Sequence, residues 1–263
     1  MAESGVATGS RASTAGGPQV YVRGVVGDEE REYARTAVGA VLAEHGVPAS
    51  ATRVRLSGGN CGGGPLLIQV NLRVCGAPAR IQVPGWDPSA AVAAAVDRLR
   101  RQVRRLTTAW EPWPWPDPQR RALAVPGRGE IVRRKSYRLT VGAPCRAAAV
   151  LGAMDYDVYL YTDADTGEDA VVYRSGPTGL RLARQRSMRP PAPVGPSAST
   201  AAALPITVNA RKVPTLTAGQ AADRLAEGWL PFVFFTESRS GRGNLLYRRY
   251  DGNLGLVSSV DKR

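Results

Sequence analysis

The 263-residue sequence is poor in the residues on which many catalytic and metal sites depend. It contains a single histidine, His45, so a metal site with two histidine ligands cannot be assembled, and no nucleophile–base pair is visible. The cysteines number three, which is odd, and their spacing suits neither a disulfide framework nor a metal site. These absences predict a protein that is not an enzyme and that uses no metal or cofactor.

Long apolar runs are also missing. No stretch approaches the roughly 18 residues that a transmembrane helix needs, and the start, MAESGVATGSRASTAGGPQ, lacks the basic-then-apolar order of a signal peptide. We therefore expect residues 1–18 to form a disordered tail, and the protein to be cytoplasmic and without a membrane partner. DADTGED resembles a calcium loop but has no acid at the closing position, and SGGNCGGGP lacks the Gly-Lys-Ser/Thr ending of a phosphate loop.

What the sequence has in excess is positive charge. The net charge of +13 and the pI of about 10.4 predict a polyanionic partner. Nucleic acid is favoured over membrane because no amphipathic anchor or lipidation motif is visible. Only three of the 35 basic residues are lysine. Arginine suits phosphate because its planar fork makes paired hydrogen bonds, although a GC-rich genome also favours arginine codons.

The first part of the chain, residues 19–110, has the pattern of one α+β domain. LLIQVNLRV alternates apolar and polar side chains, as TRVRLS and ARIQV also do, which is typical of half-buried strands. DEEREYARTAVGAVLAEHG and DPSAAVAAAVDRLRRQVRRLTTAW read as helices. The order β-α-β-β-β-α predicts two helices on a four-stranded sheet.

The last helix of this domain combines an apolar stripe with a basic ridge. The stripe steps by three and four residues along Val92, Val96, Leu99, Val103 and Leu106. On the opposite side we place four arginines and expect them to bind RNA phosphates: Arg98, Arg101, Arg104 and Arg105. The first helix extends this ridge with Arg31 and Arg35. Strand alternation makes the open face of the sheet basic too, through Arg23, Arg53, Arg55, Arg73 and Arg80.

The second half of the chain repeats itself at a constant shift of 74 residues. VVYRSGPTGLRL starts at Val171 and LLYRRYDGNLGL at Leu245, and further identities at the same shift include Ala147 with Ala221 and Leu151 with Leu225. No gap is needed over a predicted helix and hairpin, which indicates two copies of one unit. We predict two small tandem β-rich C-terminal domains, residues 130–186 and 206–263.

The endings of the two copies resemble the C-terminal domain of the ribosome hibernation promoting factors, also called the ribosome-associated inhibitor or sigma-54 modulation family. Their pattern is F-x-N-x-x-T-G-x-x-x-V-V-Y-R-R-x-D-G-x-x-G-L. The first copy matches it at Thr166, Gly167, Val171, Val172, Tyr173 and Arg174. The second matches it at Gly241, Tyr247, Arg248, Arg249, Asp251, Gly252, Gly255 and Leu256. The element order and basic last helix of residues 19–110 resemble the family's N-terminal domain.

The resemblance implies a factor that binds the small ribosomal subunit, its rRNA and its proteins, near the decoding centre. There it would block mRNA and tRNA and silence translation, while stabilising idle ribosomes under stress or dormancy. The tandem C-terminal copies, which we expect to pair within one chain, predict that these ribosomes stay monosomes. The usual long form has one C-terminal domain, which homodimerises and joins two ribosomes, whereas tandem copies are similar to the dormancy-associated form of actinobacteria. Two alternatives stay open: a general RNA-binding protein not confined to ribosomes, and a transcription modulator acting through protein contacts.

Two proline-rich stretches separate the domains and are predicted to be linkers, residues 111–129 and 187–205. Trp113 and Trp115 in the first linker either pack back on the first domain or contact RNA or a ribosomal protein. The second linker tethers the two C-terminal copies at a high effective concentration, so we expect them to pair within one chain and to leave no surface for a homodimer. The residues predicted to pair are Tyr159, Tyr161, Val171, Tyr173, Phe232, Phe234, Leu245 and Tyr247.

Overall fold

The computed structural model describes residues 17–58, 65–108, 129–175, 179–191, 206–228 and 230–260. The chain divides into two units, Met1–Thr107 and Thr108–Arg263. Within the described ranges, no helix is long and apolar enough to cross a membrane. Most of the predicted tail and of the two predicted linkers, including Trp113 and Trp115, lies outside the described residues.

The first unit has the predicted order of strands and helices. Its elements are β1 (Gln19–Arg23), α1 (Asp28–Glu44), β2 (Arg53–Ser57), β3 (Leu66–Val74), β4 (Ala77–Gly85) and α2 (Pro88–Thr107). The strands follow one another across the sheet, with β1 parallel to β2 and the other neighbours antiparallel. A parallel pair needs a crossover connection, which α1 provides. The predicted α+β class is confirmed.

Local sequence signals set the turns of this unit. β3 and β4 are joined by Cys75 and Gly76, whose φ angles of 48° and 76° are both positive, as tight two-residue hairpins require. Asp87 precedes α2, and its carboxylate accepts the backbone N–H of Ala90 at 2.6 Å. That bond satisfies one of the N–H groups that the first helical turn leaves without a partner, so α2 begins directly after β4.

Both helices of the first unit cover the same face of the sheet. Its core contains Val38 and Leu42 from α1, Ile68 from β3, Ile81 from β4 and Leu99 from α2, each at most 1% exposed. Because successive strand side chains point to opposite faces, every second residue of β1–β4 points away from α1 and α2. The sheet therefore has a core face and an open face.

Each copy of the repeat folds as a helix on a sheet. The first copy comprises β5 (Ile131–Tyr137), β6 (Val141–Gly142), α3 (Pro144–Ala153), β7 (Val158–Asp163), β8 (Asp169–Ser175) and β9 (Gly179–Arg184). The second comprises β10 (Ile206–Val208), β11 (Thr215–Leu216), α4 (Ala218–Glu227), β12 (Phe232–Glu237), β13 (Gly243–Arg248) and β14 (Leu254–Ser259). Reciprocal bonds between Thr217 and Gln220 form a capping box that starts α4.

The first strand of each copy pairs in the sheet of the other copy. β5 lies parallel to β14 of the second copy, and β10 lies parallel to β9 of the first copy. The two five-stranded sheets consequently have matching orders, β10-β9-β8-β7-β6 and β5-β14-β13-β12-β11. This exchange joins the copies into a single unit, whereas the sequence alone predicted two tandem domains.

The second unit has helices on the outside and the two sheets inside. α3 packs on the first sheet against Tyr161 and Leu182, and α4 packs on the second against Phe235 and Leu246. A third cluster lies between the copies and draws on both, with the buried members Leu139, Leu160, Val171, Ala183, Phe234, Leu245 and Val257. The inner faces of the two sheets thus form one shared core.

Candidate nucleic-acid interface

The four arginines predicted to form a ridge on α2 do not lie on one side of the helix. Arg101 and Arg104 are exposed and Arg105 is half-buried, but Arg98 is fully buried. The prediction that Arg98 lies opposite the apolar stripe is wrong. The buried band of α2 is two residues wide, and Arg98 falls inside it, three residues after Ala95 and one before Leu99.

Gln102 is a polar residue of this band that the sequence did not single out. It is fully buried, and its amide donates to the backbone carbonyl oxygen of Arg80 on β4 at 3.4 Å. Arg105 in turn donates from Nη2 to Gln102 Oε1 at 3.3 Å. One flank of α2 faces the edge strand β4 and does not form the predicted ridge. It consists of Arg98, Gln102 and Arg105, which follow one another at intervals of four and three residues.

Elsewhere on the helical layer, arginines are matched by acids. Arg100 Nε lies 3.2 Å from Glu44 Oε2, and its Nη1 lies 3.5 Å from Asp97 Oδ1. On α1, Arg35 Nε donates to Glu32 Oε2 at 2.9 Å. That hydrogen bond lowers the pKa of Glu32 below its ordinary value. Such exposed pairs contribute little stability, but they cancel positive charge on this side of the unit.

Arg31 and Arg35 do not extend the exposed arginines of α2. Glu44 marks the level at which α1 meets Arg100 of α2. Arg35 and Arg31 precede Glu44 by nine and thirteen residues, which corresponds to about 14 and 20 Å along the helix axis. The two predicted parts of the ridge are therefore not continuous with each other.

The open face of the sheet collects the five arginines that strand alternation placed there. The residue pairing puts Arg53, Asn71 and Arg80 in one row across three strands. The next row contains Tyr21 and Arg55. Arg23, Arg53, Arg55 and Arg73 are exposed, and Arg80 is half-buried. Arg53 and Arg55 are two residues apart on one strand, which separates them by about 6–7 Å.

The four strands of this sheet contain no aspartate or glutamate. Guanidinium groups bind phosphate through paired hydrogen bonds and stack on bases. Tyr21, 42% exposed, adds an aromatic ring beside Arg55, and such rings serve as stacking platforms for unpaired bases. The arrangement suits a nucleic acid laid across a positively charged sheet face.

In the second unit, six of the eight residues predicted to pair the copies lie in the shared core: Val171, Tyr173, Phe232, Phe234, Leu245 and Tyr247. The rings of Tyr173 and Phe232 meet edge to face at a centroid distance of 5.3 Å, across the two copies. Tyr159 and Tyr161 were placed on the wrong face. They pack on the α3 side of the first sheet, while Leu160, between them, points into the shared core.

The physical reason is the two-residue period of a strand, in which a slip of one residue moves a side chain to the opposite face. The repeat could have predicted the correct face, because Phe232 and Phe234 correspond at the 74-residue shift to Val158 and Leu160. Val158 and Leu160 are the residues that the structure places in the shared core.

Two other expectations concern the remainder of the chain. In the part that the structure describes, no group of three or more His, Cys, Asp or Glu side chains is placed to hold a metal ion. The roles predicted for Trp113 and Trp115 fall outside the described residues and stay predictions.

With this geometry established, the chain can be compared with known proteins. A family model described as "Sigma 54 modulation/S30EA ribosomal protein C terminus" matches residues 127–182. The chain is 48% identical over 247 residues to the "Dormancy associated translation inhibitor" of Mycobacterium tuberculosis strain H37Rv, a match covering 91% of this chain and 87% of the relative. It is 30% identical over 125 residues to the "Ribosome hibernation promotion factor" of Deinococcus radiodurans, covering 41% and 65%.

Among solved structures, the N-terminal domain of Thermus thermophilus Protein Y is similar at 26% identity with a TM-score of 0.25, covering 33% of this chain and 93% of that one. The fold described above is that of a basic α+β unit followed by two interlocked copies of a helix-on-sheet unit. The chain belongs to the sigma-54 modulation/S30EA ribosomal protein family, the family of the ribosome hibernation promoting factors, in its dormancy-associated form with a duplicated C-terminal part. The resemblance stated from the sequence is confirmed.

Proposed function

We propose that this chain is a ribosome-associated translation inhibitor whose first unit binds rRNA through the open face of its sheet. The observation that carries the proposal is the composition of that face, which has five arginines while its strands contain no aspartate or glutamate. Two relatives, named as a dormancy associated translation inhibitor and a ribosome hibernation promotion factor, support it. The exposed Arg101 and Arg104 of α2 supply a second, smaller contact.

The proposed mechanism is occlusion. Arginines on the sheet replace the counterions of rRNA phosphates, which makes binding favourable and strongly dependent on salt. The bound unit then fills space that mRNA and tRNA need, so no chemical step is required. The proposed location is the one implied by the family resemblance, on the small subunit near the decoding centre, and idle ribosomes would be held there under stress or dormancy.

The second unit bears on how many ribosomes one molecule engages. Its inner sheet faces cover each other within the chain, so the surface by which a single copy pairs is already occupied. We propose that the chain stabilises single ribosomes and does not join two.

The test compares two charge reversals of equal size. Arg53→Glu with Arg55→Glu alters the sheet, and Arg101→Glu with Arg104→Glu alters the helix. All four side chains are exposed, so stability should change by no more than about 0.5 kcal/mol per site. In sedimentation with small ribosomal subunits, we expect the sheet variant to lose at least about 10-fold in affinity and its salt slope to fall by about 2. The helix variant should lose less.

A control for net charge is Arg211→Glu with Arg239→Glu, which alters exposed residues of the second unit and should leave binding unchanged. If the control lost as much ribosome affinity as the sheet variant, the loss would reflect net charge alone. That result would contradict binding through the open face of the sheet. Competition by excess free RNA separates the remaining alternative, because a general RNA-binding protein would be drawn off the ribosome and a hibernation factor would stay on it.

A further inference from the structure

The apolar positions of the shared core do not explain why the first copy pairs with the second. At the 74-residue shift they are apolar in both copies: Leu160 with Phe234, Val171 with Leu245, and Ala183 with Val257. An isologous surface of this kind complements itself, so it is compatible with a first copy meeting another first copy from a second molecule. Selectivity must come from positions at which the copies differ.

The two copies differ at the position occupied by Asp169 in the first copy and Gly243 in the second. They are equivalent residues of the two copies, 74 apart, and they touch, because the backbone N–H of Gly243 donates to Asp169 Oδ2 at 2.8 Å. A Cβ atom added to Gly243 would lie 2.5 Å from the Cβ of Asp169. Equivalent residues of two units related by a two-fold axis meet only at that axis. Asp169 and Gly243 therefore mark the local pseudo-two-fold axis of the second unit.

The charges beside this axis are complementary. Arg242 donates from Nε to Asp169 Oδ2 at 2.8 Å and from Nη2 to Asp169 Oδ1 at 3.1 Å. The Asp169 side chain is only 2% exposed. This hydrogen bonding raises the pKa of Arg242. The residue equivalent to Arg242 in the first copy is Glu168, whose carboxylate accepts the backbone N–H groups of Arg186 and Ser187 at 2.7 and 3.1 Å. At these two sequence positions the first copy therefore carries Glu-Asp and the second carries Arg-Gly.

Neither a pair of two first copies nor a pair of two second copies has this complementarity of charge and space. Two first copies would bring Asp169 against a second Asp169, with Glu168 where an arginine is needed and with no glycine to make room for the Cβ. Buried carboxylates facing each other without a cation are strongly unfavourable. Two second copies would place two arginines at the axis with no carboxylate between them. Only the mixed pair satisfies both charge and space.

We propose that Asp169, Arg242 and Gly243 form a selectivity contact that makes the inner face of the first copy fit the second copy and reject another first copy. Discrimination of this kind uses repulsion in the unwanted pair as well as attraction in the wanted one. The proposal concerns the second unit alone and is independent of what the first unit binds.

The experiment uses full-length chains in which one copy receives the axis residues of the other. Arg242→Glu with Gly243→Asp makes both copies acidic, and Glu168→Arg with Asp169→Gly makes both basic. Each half-swapped chain should lose the closed pair, with the thermal midpoint of the second unit lowered by about 10 °C. Asp165→Arg, in the exposed turn of the same hairpin, is the control and should keep the native midpoint.

Two rescues distinguish selectivity from damage to the fold. All four substitutions in one chain reverse the polarity of the contact, and should restore a monomer and most of the lost thermal stability. Mixing the two half-swapped chains should give a heterodimer in analytical ultracentrifugation, paired between molecules. Half-swapped chains that stay monomeric with the native midpoint would overturn the proposal, and so would a fourfold variant as unstable as either half.

Discussion

The two copies of the repeat share a fold but differ in their polar side chains. Equivalent elements recur in the same order, and the same positions enter the core that the copies share. The polar positions at the same shift diverge: Asp163 and Arg184 of the first copy correspond to Glu237 and Ser258 of the second. Matched apolar positions thus accompany the same sheet order in both copies, while the polar positions make the two copies distinct.

The clearest divergence lies near the ends of equivalent strands in the two copies. In the first, Arg184 Nε lies 2.6 Å from Asp163 Oδ2, and the two side chains are 1% and 0% exposed. In the second, Glu237 accepts the backbone N–H groups of Arg239 and Ser240 at 2.8 and 3.0 Å. Ser258 is too short to take the place of an arginine, and it lines a cavity of about 460 Å³ together with Glu237.

The largest effect should come from removing the buried arginine. Arg184→Ser gives the first copy the residue of the second and leaves Asp163 as an uncompensated buried charge. Breaking a buried pair in this way costs about 3–5 kcal/mol. Hydrogen exchange of the β7 and β9 amides reports the stability of the second unit directly. Ser258→Ala is the matched control with little expected change, and equal protection in both variants would contradict the account.

A smaller but clear effect tests which face of β7 meets the other copy. Leu160→Ala removes a side chain only 2% exposed from the shared core and should cost about 2–5 kcal/mol, because truncation leaves a cavity. Tyr159→Phe, one residue away on the α3 face, should cost less than about 1.5 kcal/mol. Hydrogen exchange again gives both values, and a larger loss for the Tyr159 variant would reverse the assignment of faces.

The smallest expected effect is a gain in stability. Tyr161 is 1% exposed, burial raises the pKa of its hydroxyl, and that hydroxyl has no hydrogen-bond partner among the described residues. The second copy has Phe235 at the equivalent position. Tyr161→Phe should therefore stabilise the unit by about 1 kcal/mol, since an unsatisfied buried hydroxyl is unfavourable. A loss of similar size would show that the hydroxyl has a partner.

Sequence periodicity predicted most of the first unit because alternation and helical spacing are local properties. The open face of the sheet could be predicted because apolar and polar side chains alternate in three of its strands. Arg53 and Arg55, which were predicted to lie on that face, are exposed in the structure. Arg98 was misplaced because the core-facing band of α2 is wider than the apolar stripe that the sequence displays. Charged residues usually lie on the surface of a protein, so composition alone did not predict a buried arginine.

The second unit was harder to predict for a different reason. The repeat identified equivalent residues, but a strand's sequence does not say in which sheet it pairs. β5 and β10 exchange between copies, and this exchange depends on tertiary pairing that no local pattern encodes. The contact of Asp169 with Gly243 is likewise invisible until the two copies are placed together.

The most direct test of the whole account is a sucrose gradient of ribosomes saturated with the chain. We expect the protein to migrate with single ribosomes, because we propose that the first unit binds rRNA while the two copies of the second unit occupy each other. A peak of ribosome dimers that appears on adding the protein would contradict it.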